Sequence, residues 1–203
     1  MNISGDSGSE TDQAVQTVPE NPDPGLPPKA IAARVGYRDL WIGNVGAIKP
    51  RLLAEMDLEP EYAISVNGTP TTVTTDHHPL KDEHVNDHQQ FSNAVAATRN
   101  RIQSKGTVLV NCSVGVSRSS AVIATAIAAE EGLSFDAGVA EVRDNRPRAR
   151  PHPKLKLNAY AYLLTKEDRP QARYQIKELV DNMHIRSQNG KAIENVVSTD
   201  PDE

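Results

Sequence analysis

Apolar positions along the chain alternate between two rhythms, and that alternation sets the expected architecture. Residues 40–43 (Leu-Trp-Ile-Gly) make a short β-run closed by glycine. Residues 48–56 place Leu52, Leu53 and Met56 at helical spacing. A second strand is predicted over 62–66, ended by the turn pair Asn67-Gly68, and the β-branched run 71–75 predicts a third. A polar loop over 76–86 follows. Residues 86–103 then carry Phe91, Ala94, Val95, Thr98 and Ile102 on one helical face, stopped by Gly106. Residues 107–110 are a strand, Thr-Val-Leu-Val, so apolar that both faces should be buried.

From there the period is helical. Residues 119–131 are apolar nearly all round, which predicts a buried helix ended by Gly132. Ser134 caps a helix with Phe135, Val139 and Val142 in phase, closed by Pro147. Pro153, favourable at a first helical position, opens another whose face is Leu155, Ala159, Tyr162 and Leu163. Strands alternating with helices imply an α/β domain with a central, mostly parallel sheet of four to five strands flanked by helices. The domain is expected over 34–165. Residues 1–33 are acidic and rich in Pro, Ser and Gly, which predicts a disordered tail. Residues 166–203 read as an extension with an amphipathic helix over 170–184, through Ile176, Leu179, Val180 and Met183, and then a loose tail.

Charge changes the picture in one respect. The net charge of −5 sits in the ends: 1–30 carry −4 and 166–203 carry −2, leaving +1 for the middle. A near-neutral domain argues against general nucleic-acid binding. No apolar run is long enough to cross a bilayer, and residues 1–17 carry no secretory signal pattern. Cys112 is the single cysteine, so no intramolecular disulfide can form. A free thiol suits the reducing cytoplasm, where a soluble monomer is expected.

That cysteine lies in Cys112-Ser113-Val114-Gly115-Val116-Ser117-Arg118-Ser119, between the apolar strand and the buried helix. Small residues around Gly115 let successive N–H groups turn inward as an anion nest, and the helix N-terminus adds partial positive charge. Arg118 supplies a planar fork for two phosphate oxygens. The same dipoles favour a Cys112 thiolate placed beneath a bound phosphate. Such a thiolate can attack in line and form a cysteinyl-phosphate. Ser119 can donate to the sulfur when it leaves. The candidate phosphate-binding residues are Ser113, Val114, Gly115, Val116, Ser117 and Arg118.

This segment resembles the signature of the cysteine-dependent dual-specificity protein phosphatases, of the protein tyrosine phosphatase superfamily. The resemblance spans about residues 36–165. Pro79-Leu80-Lys81-Asp82 is similar to the family's general-acid loop, and Arg146-Pro147 with Pro151-His152-Pro153 to its turn before the last helix. The resemblance implies a protein tyrosine phosphatase-like fold, phosphoprotein substrates (phosphotyrosine and phosphoserine/threonine), no cofactor, and catalysis by Cys112, Arg118, Asp82 and Ser119. A leaving alkoxide needs a proton from a carboxylic acid. Spacing alone leaves Asp76, Asp82, Glu83 and Asp87 open as its source; the resemblance selects Asp82. Phosphatase action on RNA 5′ ends or inositol phosphates, and non-catalytic phosphate binding, are the competing readings. His77, His78, Asp82, His84, Asp87 and His88 match no specific ligand spacing, and no metal site is expected. Arg143, Arg146, Arg148, Arg150, Lys154 and Lys156 crowd fourteen positions and are placed to steer acidic substrates or to serve a helix end.

One position departs from the family pattern. The resemblance implies His immediately before the nucleophile, and Asn111 stands there. An amide can donate and accept hydrogen bonds to order the loop, but it carries no charge. Asn111→His should therefore lower the pH at which Cys112 alkylation reaches half its maximal rate. An unchanged or raised midpoint in the variant would overturn this reading.

Overall fold

The computed structural model describes residues 16–17, 31–82 and 88–183. The strands are β1 (Gln16–Thr17), β2 (Ile31–Arg34), β3 (Leu40–Gly43), β4 (Tyr62–Ser65), β5 (Asp76–His77) and β6 (Val108–Asn111). They form one sheet in the order β1-β2-β3-β6-β4-β5. The β3–β6, β6–β4 and β4–β5 pairs are parallel, while β1–β2 and β2–β3 are antiparallel. The helices are α1 (Pro50–Glu55), α2 (His88–Gln103), α3 (Arg118–Glu131), α4 (Phe135–Asn145), α5 (Pro153–Lys166) and α6 (Gln171–Met183).

The apolar β6 run has two faces to bury. Val108 and Val110 enter the main core with Leu40, Ile42 and Ile64 and with the apolar faces of α2 through α6. Leu109 points the other way, into a smaller core with Ala32, Ile48, Leu53 and Met56 around α1. The sheet thus lies between two layers, and β6 runs down its middle. All of α3 from Ser119 to Ala129 is buried, as its continuous apolar character requires. It ends where Gly132 adopts the left-handed conformation, φ 72°. The Ser134 hydroxyl accepts from the Ala137 N–H and starts α4. Helix α4 then crosses α3 at Gly138, where a Cβ would lie 2.4 Å from the Ala124 carbonyl oxygen.

Three expectations are corrected. Residues 71–75 form a turn rather than a strand: Thr71 N–H donates to Thr74 Oγ1 at 3.0 Å, and Thr74 N–H returns to the Thr71 carbonyl at 3.1 Å. Threonine hydroxyls there compete with ladder bonds. The strand instead forms at Asp76–His77, inside the expected polar loop, beside Ile64 and Ser65. The domain also begins before residue 34. Ala32 and Ala33 of β2 are fully buried, paired to Gly43 and Ile42. Their small side chains carry no hydrophobic rhythm, so the pattern did not mark them. The remainder of the expected N-terminal tail, residues 83–87 and the C-terminal tail from 184 lie outside the described residues.

Adding a methyl group at Gly138 pits helix propensity, worth about 1 kcal/mol, against overpacking onto backbone, which costs about 1–3 kcal/mol. At this contact the clash dominates. Gly138→Ala is expected to lower the urea midpoint of unfolding while leaving the far-ultraviolet circular dichroism unchanged; an unchanged or raised midpoint would refute the close crossing.

Candidate active site

Strand β6 delivers Asn111, and the chain then turns through Cys112 to Ser117 before α3 begins at Arg118. Gly115 sits at the middle of this loop with φ +67°. A Cβ at that position would lie 2.8 Å from the Gly43 carbonyl oxygen and 3.2 Å from Asn44 N. Glycine is required twice over, by conformation and by the approach of the β3 end.

The loop carbonyls from Ser113 to Val116 are each taken from outside the loop. Val45 N–H reaches the Ser113 carbonyl at 3.2 Å, and Arg150 N–H reaches Val116 at 2.7 Å. Buried Arg146 donates from Nη2 to Val114 and from Nε to Gly115, each at 3.0 Å. Ser120 Oγ adds a second bond to the Val116 carbonyl at 2.7 Å. With the carbonyls held outward, the N–H groups turn inward. Gly115 N–H donates to Cys112 Sγ at 3.2 Å, and Ser119 Oγ donates to it at 3.3 Å.

Cys112 is 2 % exposed. Burial pushes its thiol pKa up, but the Ser119 hydroxyl and the N–H groups of Ser119, Val116 and Val114 act against it, and the outcome lies below the ordinary thiol value. Asn111 does not contribute as expected. It is fully buried, and neither its amide nitrogen nor its oxygen has a protein partner. The amide does not order the loop; the Arg146–Arg150 segment does.

Arg118 rests its fork on neighbours. Nη2 donates to Ser113 Oγ at 2.7 Å, and Nη1 lies 3.4 Å from Asn67 Oδ1 and 3.3 Å from the Leu80 carbonyl. Asp82 completes the arrangement. Its Oδ2 is 3.2 Å from Arg118 Nε, and its Oδ1 accepts from the Ser117 hydroxyl. Ser117 Oγ in turn accepts from His152 N–H at 3.0 Å. Asp76 lies elsewhere, in β5, held by Thr75 Oγ1 at 2.8 Å and by Arg101 at 3.4 Å. Glu83 and Asp87 fall outside the described residues, as does His84. Val114, on the outer rim, is 56 % exposed. Among the described residues no three His, Cys, Asp or Glu side chains gather as a metal-binding group.

A family model for the dual specificity phosphatase catalytic domain matches residues 41–167. The chain belongs to that family. Solved structures share its fold. Human DUSP28 is 23% identical, with 68% of this chain and 93% of that one covered and a TM-score of 0.55. A mouse putative dual specificity phosphatase complexed with zinc tungstate is 24% identical over 73% of this chain and 96% of its own, with a TM-score of 0.54. The Yvh1 phosphatase domain from Chaetomium thermophilum is 20% identical over 64% and 94%, with a TM-score of 0.54. No curated protein sequence matches the chain significantly.

Two contributors to the phosphatase loop escaped the sequence reading. Asn67 was visible only as half of a turn pair, yet its Oδ1 accepts from Ser113 Oγ at 2.8 Å and faces Arg118. Asn44 follows β3 with no motif around it, yet its Oδ1 accepts from Ile31 N–H at 3.1 Å and Ala47 N–H at 3.0 Å beneath Gly115.

Ser119→Ala removes the one side-chain donor to the sulfur among the described residues. Loss of a hydrogen bond to a charged group, worth about 1.5–3 kcal/mol, should raise the pH midpoint of Cys112 alkylation by about one to two units. An unshifted midpoint would show that the N–H groups alone set the thiol.

Proposed function

We propose that the chain is a phosphoprotein phosphatase that hydrolyses phosphotyrosine and phosphoserine/threonine through a cysteinyl-phosphate on Cys112. The observation that carries this reading is the convergence of four groups on one loop. The Cys112 sulfur lies 3.3 Å from Ser119 Oγ, and Arg118, seven positions after Asn111, has its Nε 3.2 Å from Asp82. Membership of the dual-specificity family and the tightly braced loop support it.

In this reading the substrate phosphate takes the place at Arg118 now shared by Ser113 and Asp82. Two phosphate oxygens accept from the guanidinium and the others from the inward N–H groups. The thiolate donates its electron pair to phosphorus, the sulfur–phosphorus bond forms, and the bond to the leaving oxygen breaks. Protonated Asp82 gives its proton to that oxygen. In the second step Asp82, now a carboxylate, takes a proton from water as the water oxygen attacks phosphorus. The sulfur–phosphorus bond breaks, and Ser119 stabilises the returning thiolate. The products are the dephosphorylated hydroxyl and inorganic phosphate.

The Arg118–Asp82 ion pair belongs to the resting site. Binding of phosphate to the guanidinium frees the Asp82 carboxyl from its cationic partner to face the leaving oxygen. Among the described residues no helix is long and apolar enough to cross a membrane. The single thiol on which the reaction depends suits a cytoplasmic setting, acting as a monomer.

The test is hydrolysis of phenyl phosphate and of phosphotyrosine and phosphothreonine peptides by wild type, Cys112→Ser and Asp82→Asn. Cys112→Ser is expected to abolish turnover. Asp82→Asn is expected to lower kcat about 10²–10⁴-fold. No hydrolysis by wild type would defeat the enzymatic reading, and equal rates in all three would defeat the residue roles.

A further inference from the structure

The six cations between 143 and 156 do not share one task. Arg146 turns inward and holds the Val114 and Gly115 carbonyls. Arg143 Nε caps the Ala149 carbonyl at 2.8 Å, and Lys156 lies 4.0 Å from Asp136. Arg148 and Arg150 remain exposed on either side of buried Ala149 and engage no acid among the described residues. Both are fixed close to the phosphate loop. The Arg150 backbone is bonded to the Val116 carbonyl at 2.7 Å, and Ala149 N–H to the Arg146 carbonyl at 2.8 Å.

Two exposed cations beside an anion-binding loop add a local positive field that draws anionic groups to this side of the loop. Neighbouring Val114 offers an exposed apolar surface on the same loop. We propose that Arg148 and Arg150 form a second recognition surface beside the phosphate loop, which selects phosphopeptides carrying acidic side chains next to the phosphorylated residue. The proposal rests on the phosphatase reading and names its substrate class. A polyanion such as RNA fits less well. The residues from 31 to 165 carry only +1, whereas nucleic-acid binding draws on a broad basic footprint. Two arginines match one or two carboxylates, with Val114 contacting the aliphatic or aromatic part of the peptide.

The experiment uses the full chain in two arms. In the first, kcat/KM is measured for a phosphotyrosine peptide flanked by Asp and Glu and for its Asn/Gln counterpart. Wild type is expected to prefer the acidic peptide by roughly tenfold in 50 mM salt, chiefly through KM, and the preference should shrink in 500 mM salt. In Arg148→Ala/Arg150→Ala the ratio should fall to about one, and Arg148→Glu/Arg150→Glu should invert it. In the second arm, the same peptides are titrated onto Cys112→Ser by fluorescence anisotropy, with the same expected ratios. Equal affinity for the two peptides, a preference that survives Arg148→Ala/Arg150→Ala, or tighter capture of a 5′-phosphorylated RNA oligonucleotide than of the acidic peptide would each overturn the proposal. Failure of the phosphatase reading shows separately, as absence of turnover on every substrate while the binding arm still reports the flank preference.

Discussion

The site depends on which way the peptide planes between Cys112 and Arg118 face. A loop of this length has no sheet or helix to fix its planes, and a carbonyl turned inward would repel both thiolate and phosphate. Each of the carbonyls from Ser113 to Val116 has a donor waiting outside the loop. Two come from the Arg146 guanidinium, others from the backbone of Val45 and Arg150 and from Ser120. Charge-assisted bonds from a buried arginine are among the stronger ones available. The turn between α4 and α5 therefore shapes the loop from behind, through the Arg146 guanidinium and the Arg150 backbone.

The polar groups around this loop differ in how they are held. Ser119 and Ser117 donate within the site, and Asp82 accepts there and pairs with Arg118. Asn111, one residue before Cys112, is fully buried and has no partner among the described protein residues. It also stands where the sequence leaves its family's pattern.

Much of this was legible in advance because it was periodic or local. The apolar runs announced β6 and α3, Ser134 and Pro153 announced helix starts, and the spacing of Cys112, Gly115 and Arg118 announced an anion loop. The place of Asp82 beside Arg118 was reachable only through family likeness, since spacing left Asp76 open as well and the difference between them is a matter of which way the chain leaves β5. What could not be read was built from small or lone residues. Ala32 and Ala33 show no rhythm, Thr71 to Thr75 have strand propensity but hydroxyls that bond locally, and Asn44 and Asn67 act through a single oxygen each. Their roles arise from contacts between segments far apart in the chain, which no window of sequence contains.

The contact of Gly115 with the end of β3 has a consequence for how small the working unit can be. Gly115 is seated on Gly43 and Asn44, and Asn44 is pinned through its side chain and its own N–H by Ile31. The residue that anchors the floor of the Cys112 loop therefore comes from β2, two strands away from β6 and some eighty positions upstream of Cys112. A chain trimmed to residue 34, where the hydrophobic pattern first suggests a domain, would keep Cys112, Arg118, Ser119 and Asp82 and lose the clasp beneath them.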